Sequence, residues 1–245
     1  MARTPLVLAS LLSWLPMGCA DNQESLIVLM APAWDEDGAC AVTDSNDALP
    51  LGLLDAALPS AYMMPALLFN NTTLQNATKK NAGVQTNEMQ LKSASVSLSV
   101  PQNKDAAAAV RKQEPSLMDF EVSLPTQSIA PQQTIGVLVQ VIPQQTAAAL
   151  AGELFLTDAQ KESRVTVVAD VVFHATRSGN VKGRVGEIDA REFSFPITFC
   201  YDCLIDCHTC ENAMCPAQSS TFVGGVCGNA QDLPLVPAAC ASDNG

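Results

Sequence analysis

The clearest pattern along the chain is an alternation of apolar and polar residues with a period of two. Over 94–100, for example, Ala94, Val96, Leu98 and Val100 alternate with serines. Because successive side chains of a strand point to opposite faces of a sheet, this period indicates half-buried β-strands. Eight segments show the alternation or a less regular apolar run, and these are 25–30, 53–58, 62–69, 94–100, 118–124, 134–142, 165–173 and 193–199.

Helical signals are few and short. We expect Asp105 to cap a helix over 106–111, and Pro143 and Gly152 to open and close a second helix over 144–151. The Ser178-Gly179-Asn180 sequence is typical of a hairpin turn. Many strands without a regular βαβ alternation favour one antiparallel β-sandwich, immunoglobulin-like or similar, with under about 20% helix.

Residues 1–18 have the features of a secretory signal. Arg3 precedes an apolar run over 6–15 that is too short to span a bilayer. Gly18-Cys19 then matches a bacterial lipoprotein cleavage box, which predicts that Cys19 is lipidated and becomes the first residue of the mature chain. Cleavage after Ala20 by the ordinary signal peptidase is the alternative. An acylated Cys19 would anchor the protein to a membrane without spanning it, and we expect this to be the bacterial outer membrane.

The remaining cysteines predict disulfides. Cys19 cannot form a disulfide under either cleavage, because it is lipidated in one case and removed in the other. The eight other cysteines are an even number in an exported chain, as expected if they form disulfides. Only one of them precedes residue 200, so we expect Cys40 to be cross-linked to the tail if all eight pair. The sequence thus divides into a signal (1–18), a sandwich domain (19–199) and a cysteine-rich cap (200–245). The eight cysteines are Cys40, Cys200, Cys203, Cys207, Cys210, Cys215, Cys227 and Cys240.

The crowded cysteines also suggest an alternative, an exported metal- or haem-binding protein that uses Cys200–Cys210. Cys203, Cys207 and His208 form a C-x3-C-H variant of the haem-attachment spacing. Two C-x2-C pairs would supply four thiols for zinc, but a zinc ribbon needs a longer loop between its pairs. Because export favours oxidation over metal capture, we expect no bound metal or cofactor.

The net charge and the lack of known motifs argue against nucleic-acid binding, an EF-hand and familiar types of catalysis. The formal net charge is −12 and the isoelectric point is about 4.4, so phosphate backbones repel the chain and nucleic acid is not an expected partner. Residues 35–47 are acidic but lack the spacing of an EF-hand. His174 and His208 are the only histidines, and no Gly-x-Ser-x-Gly motif occurs. We expect His174 to face solvent and predict no catalytic residue.

Short motifs along the mature chain also carry a resemblance. They are Gly18-Cys19, the DNQES segment at 21–25, Cys40, LLDAAL at 53–58, EFSFPI at 192–197 before Cys200 and Cys203, CGNAQD at 227–232, and Cys240. Together they resemble a family of exported lipoproteins common in myxobacteria and related deltaproteobacteria. The resemblance implies location and architecture and supplies no catalytic residue. The resulting expectation is a non-enzymatic cell-envelope lipoprotein with a binding or structural role.

Overall fold

The computed structural model describes residues 25–34, 41–42, 47–58, 60–73, 87–181, 184–205, 222–224 and 230–237. In this part of the chain, strands account for 49% and helices for 18%, which confirms the predicted all-β class. The strands are β1 (Leu26–Met30), β2 (Gly52–Asp55), β3 (Tyr62–Asn70), β4 (Glu88–Ser99), β5 (Asp119–Ser123), β6 (Ser128–Ile129), β7 (Thr134–Ile142), β8 (Val165–Val181), β9 (Arg184–Asp189), β10 (Phe193–Cys200), β11 (Phe222–Gly224) and β12 (Leu235–Pro237). The helices are α1 (Lys104–Gln113), α2 (Gln144–Leu154) and α3 (Asp158–Lys161), with a 3₁₀ turn at Pro115–Leu117.

Two sheets form the β-sandwich that the alternation predicted. The smaller sheet contains β1, β3 and β7 in that order, and all its pairs are antiparallel. The larger sheet has the order β2-β10-β8-β4-β5, with β6 beside β4 and β9 beside β8. Its pairs are antiparallel except at one edge, where β2 runs parallel to β10. The strands β11 and β12 of the tail form a separate antiparallel pair.

The apolar side of each alternating segment becomes the interior of the sandwich. Val171 and Phe173 of β8 are fully buried, as is Phe195 of the neighbouring β10. Tyr62 of the smaller sheet packs against Phe195 of the larger one, with ring centroids 6.1 Å apart. Burying side chains of this size contributes roughly 1.5–3 kcal/mol each relative to exposure. One continuous hydrophobic cluster therefore joins the two sheets.

Helix α1 begins earlier than the sequence predicted. Asn103, not Asp105, is the N-cap, and its side-chain oxygen accepts a hydrogen bond from the Ala106 N–H at 3.1 Å. Asp105 instead occupies the first turn, where its negative charge interacts favourably with the helix dipole. Helix α2 continues through Gly152 to Leu154, and the two helices pack against each other, with Val110 of α1 and Leu150 of α2 both buried.

The predicted hairpin turn at Ser178-Gly179-Asn180 is misplaced. These residues belong to β8, which extends to Val181 before the chain returns as β9 from Arg184. The register between β8 and β9 shifts between Arg177 and Val181. Four steps along β8 match two steps along β9 here, so β8 contains two extra residues. A bulge of this kind lets a strand continue, which explains how a turn-like sequence remains inside β8.

The described part of the tail returns to the sandwich and pairs with it. Strand β10 itself runs one residue past the predicted boundary and ends at Cys200. Gln231 forms an isolated bridge with Leu54 of β2, and the Leu235 N–H donates to the Leu204 carbonyl at 2.8 Å. Among the described residues, no helix is long and apolar enough to cross a bilayer.

Candidate functional site

The structure describes two of the predicted disulfide cysteines. Cys200 and Cys203 form a disulfide, with their Cα atoms 5.9 Å apart. Sulfur atoms joined in this way have no free thiolate for zinc or haem attachment. Within the described ranges, no group of three or more His, Cys, Asp or Glu residues could hold a metal ion. The other predicted positions lie outside the described residues, and these are Cys19, Cys40, Cys207, His208, Cys210, Cys215, Cys227 and Cys240.

A half-buried carboxylate from the tail binds the body at the start of β2. Asp232 Oδ1 accepts from the Leu53 N–H at 2.7 Å, and Oδ2 accepts from the Trp34 indole N–H at 2.8 Å. The Tyr62 hydroxyl lies 3.0 and 2.9 Å from the two oxygens. The Asp232 backbone has φ 58°, a left-handed conformation in which aspartate is enriched. This turn also lets the Asp232 N–H donate to the Leu53 carbonyl at 2.8 Å.

Two buried side chains complete the attachment of the tail. The Gln231 side chain is 0% exposed and makes a two-way contact with Met63, accepting from its N–H at 2.8 Å and donating to its carbonyl at 2.9 Å. From the body, Asp55 is also 0% exposed and accepts from the N–H groups of Asp202 and Leu204, both at 2.9 Å. We call Trp34, Asp55, Tyr62, Gln231 and Asp232 the tail lock.

Burial dominates the electrostatics of the tail lock. Desolvation raises the pKa of Asp232, and the hydrogen bonds from Leu53, Trp34, Tyr62 and Gln231 oppose this rise. Desolvation also raises the pKa of Tyr62 well above its ordinary value, and the nearby Asp232 charge adds to the effect. The polar groups of the tail lock form their hydrogen bonds within the fold, so the tail lock has a structural role.

A second polar cluster lies on the outer face of the larger sheet and is open to solvent. His174 of β8 is central to it, with its side chain 30% exposed. Its Nε2 lies 2.7 Å from the Ser95 hydroxyl on β4, and its Nδ1 lies 2.7 Å from Asp189 Oδ1 on β9. The three residues therefore form a continuous hydrogen-bonded chain across three neighbouring strands. His174 does lie on the outer face, as the sequence predicted, but it has two specific partners.

The hydrogen-bond roles in this chain follow from the chemistry of its groups. An ionised carboxylate can only accept, so His174 Nδ1 carries the proton that is shared with Asp189. In the neutral ring, Nε2 is then the acceptor, and the Ser95 hydroxyl donates to it. This arrangement orients the imidazole and leaves its basic nitrogen directed at a serine oxygen.

The cluster forms part of a groove of about 410 Å³. Lys92, Glu121, Thr176 and Glu187 line the groove beside the three hydrogen-bonded residues. At its edge the register between β4 and β8 shifts, because Leu91 faces Ala175 while Ser93 faces His174, which leaves Lys92 as an extra residue. Such bulges redirect side chains and are enriched beside functional sites. We call this region the His174 groove.

Only part of the His174 groove was indicated by the sequence. Ser95 was one of several serines in an alternating strand, and β9, which carries Asp189, was not predicted. Strand pairing places Asp189 directly opposite His174, fifteen residues earlier in the chain. A polar residue such as His174 on the outer face of a long strand was the one available signal.

The comparisons with known proteins add no relative to this picture. A scan against protein-family models found no match, and neither did a search of curated proteins.

Proposed function

We propose that the protein is an exported cell-envelope lipoprotein, anchored in the outer membrane through Cys19, whose sandwich binds a ligand in the His174 groove. The observation that supports export is the Cys200–Cys203 disulfide. Disulfides persist in oxidising compartments such as the bacterial periplasm and are rare in the cytosol. This agrees with the signal features of residues 1–18 and with the resemblance to exported lipoproteins.

The scaffold suits a binding role. The residues that line the His174 groove come from neighbouring strands of a seven-stranded sheet, and sites on such elements are held more rigidly than sites on loops. The groove volume of about 410 Å³ lies in the range of small-molecule sites. Its lining includes the carboxylates Glu121, Glu187 and Asp189 and the single ammonium of Lys92. The ligand should therefore be a small polar molecule that is neutral or cationic.

The anchor is tested on the full chain expressed with its own N-terminal segment in a Gram-negative host. Mass spectrometry of the purified protein should show a mature chain that begins at Cys19 and carries an added lipid mass. The variant Cys19→Ser should lose this mass and leave the membrane fraction. A mature wild-type chain that begins at Asp21 without lipid would refute the anchor and leave export intact.

The alternative, a metal or haem carrier built on Cys200–Cys210, requires Cys200 and Cys203 as free thiolates or thioethers. The bridge between them favours the disulfide interpretation instead. An absorption spectrum and metal analysis of the protein purified from the periplasm test this alternative directly. A Soret band or a stoichiometric metal would support it over the binding role.

A further inference from the structure

We propose that Ser95, His174 and Asp189 form a nucleophile–base–carboxylate triad that hydrolyses small uncharged carboxylic esters bound in the His174 groove. This inference uses the groove of the proposed binding function and goes beyond it to a reaction. The activity does not depend on the lipid anchor.

The geometry assigns each residue a role. Ser95 Oγ and His174 Nε2 are 2.7 Å apart, so the imidazole is within reach of the hydroxyl proton. Asp189 holds the other ring nitrogen at 2.7 Å and fixes both the tautomer and the ring orientation. Asp189 acts through the imidazole and is a positioning residue. The triad is recognised by this geometry and not by sequence order, which explains why no serine-hydrolase motif accompanies it.

The hydrolysis needs water as its only co-reactant. Ser95 Oγ forms a bond to the ester carbonyl carbon while its proton passes to His174 Nε2. The tetrahedral intermediate collapses, the bond to the alkoxy oxygen breaks, and the alcohol leaves with the proton from Nε2. Water then gives a proton to Nε2 and attacks the acyl-serine carbonyl. The second tetrahedral intermediate collapses, the bond between the acyl carbon and Ser95 Oγ breaks, and Oγ takes the proton from Nε2 as the acid leaves.

The groove lining defines the substrate class. The ammonium of Lys92, the extra residue of the β4 bulge, is the positive group that lines the groove and can balance negative charge developing on the carbonyl oxygen. Glu121 and Glu187 oppose an anionic acyl or alcohol group by repulsion. The volume of about 410 Å³ is large enough for a small ester.

The experiment uses the full mature protein and two probes, a fluorophosphonate that labels activated serines and p-nitrophenyl acetate. We expect the fluorophosphonate to modify Ser95, as mapped by peptide mass spectrometry. Label should be absent in Ser95→Ala and reduced to the level of unreacted serines in His174→Ala. Asp189→Asn should lower kcat for the acetate ester by at least about a hundredfold with little change in KM.

Ser97→Ala is the matched control. Ser97 lies on the same strand and donates a hydrogen bond to the Asp119 carboxylate without a histidine between them. This variant should keep wild-type labelling and turnover. Urea unfolding of each variant shows that lost labelling does not come from lost folding.

Two results would overturn the triad. One is labelling of Ser95 no faster than labelling of other serines in the wild-type protein. The other is ester hydrolysis that persists in Ser95→Ala and His174→Ala, because it would come from other surface groups. Either result leaves the groove with a binding role only and supports the non-enzymatic expectation. The lipid anchor is decided separately by the mass of the mature chain.

Discussion

Each of the two polar clusters of this protein contains a hydrogen-bonded aspartate, and the two aspartates lie at different depths. In the tail lock, Asp232 accepts from an indole, a phenol and a backbone N–H and is largely excluded from water. In the His174 groove, Asp189 accepts from an imidazole, and its side chain is 60% exposed. The first carboxylate joins two distant parts of the chain, whereas the second orients one ring on a surface.

The difference shows how burial decides what a hydrogen-bonded carboxylate does. A buried donor that loses its partner is destabilised by its desolvation, so Tyr62 and Gln231, the buried partners of Asp232, depend on it most. An exposed donor exchanges its partner for water at little cost. Asp189 therefore contributes little to stability and orients His174, whereas Asp232 stabilises the fold by holding the tail against the body.

The largest effect is expected for removal of the Asp232 carboxylate. Asp232→Ala leaves the buried Tyr62 hydroxyl and the half-buried N–H groups of Trp34 and Leu53 without their acceptor, at up to about 1–3 kcal/mol for each unsatisfied group. We expect a total loss of at least about 3 kcal/mol in the free energy of unfolding, measured with urea. The matched variant Asp189→Ala should change it by less than about 0.5 kcal/mol. Equal losses of unfolding free energy in the two variants would show that burial does not distinguish the two carboxylates.

A smaller effect is expected for a close contact beneath the tail lock. An added Cβ at Gly52 would overlap the Tyr62 hydroxyl, and that hydroxyl is held by Asp232 in a buried position. Gly52→Ala should cost about 1–3 kcal/mol in urea unfolding, as overpacked sites do.

Gly152 provides the control for this overpacking. A Cβ there meets nothing, and the residue lies inside α2. Gly152→Ala should stabilise the protein by up to about 1 kcal/mol through helix propensity. If Gly52→Ala is also neutral or stabilising, Tyr62 is not fixed in place by the tail lock.

The smallest effect is expected in the pH dependence of stability. Burial raises the pKa of Asp232, so the folded state binds more protons than the unfolded state between the ordinary aspartate pKa and the raised one. The contribution of Asp232 is therefore fully present below the ordinary pKa and falls as pH rises through the raised pKa. Asp119 has the opposite sign, because the hydrogen bond from Arg111 lowers its pKa and its contribution is lost as pH falls.

Urea unfolding midpoints measured across this pH range test the predicted direction of both pH dependences. Asp232→Asn should remove part of the decline that accompanies rising pH, because burial also raises the pKa of Asp202. Asp119→Asn should remove part of the decline that accompanies falling pH. A wild-type profile that Asp232→Asn leaves unchanged would contradict the raised pKa of Asp232.

Local patterns of the sequence predicted the strands well. The eight predicted segments correspond to β1–β5, β7, β8 and β10, because alternation reports directly which side of a strand is buried. Boundaries were less accurate where two capping residues compete, as Asn103 and Asp105 do at α1. The short strand β6 carries too few residues to show a period, and β9 lacks a regular one.

Neither polar cluster could be predicted in this way. Asp232 and Trp34 are separated by 198 positions, and Ser95 and His174 by 79. No local pattern encodes a contact between such positions, because strand order and register decide which outward-facing residues become neighbours. The parallel pairing of β2 with β10 was missed for the same reason.

The sequence by itself determined the all-β class, since hydrophobic periodicity is a local property of the chain. It also predicted the cysteine-rich tail from composition. Tertiary structure alone decided that the tail inserts Gln231 and Asp232 into the body, and that three strands bring a serine, a histidine and an aspartate together. The physical reason is that the packing of the sheets sets both burial and the distance between strands. Asp232 and Asp189 have the same side chain but different roles, because this packing places them at different depths.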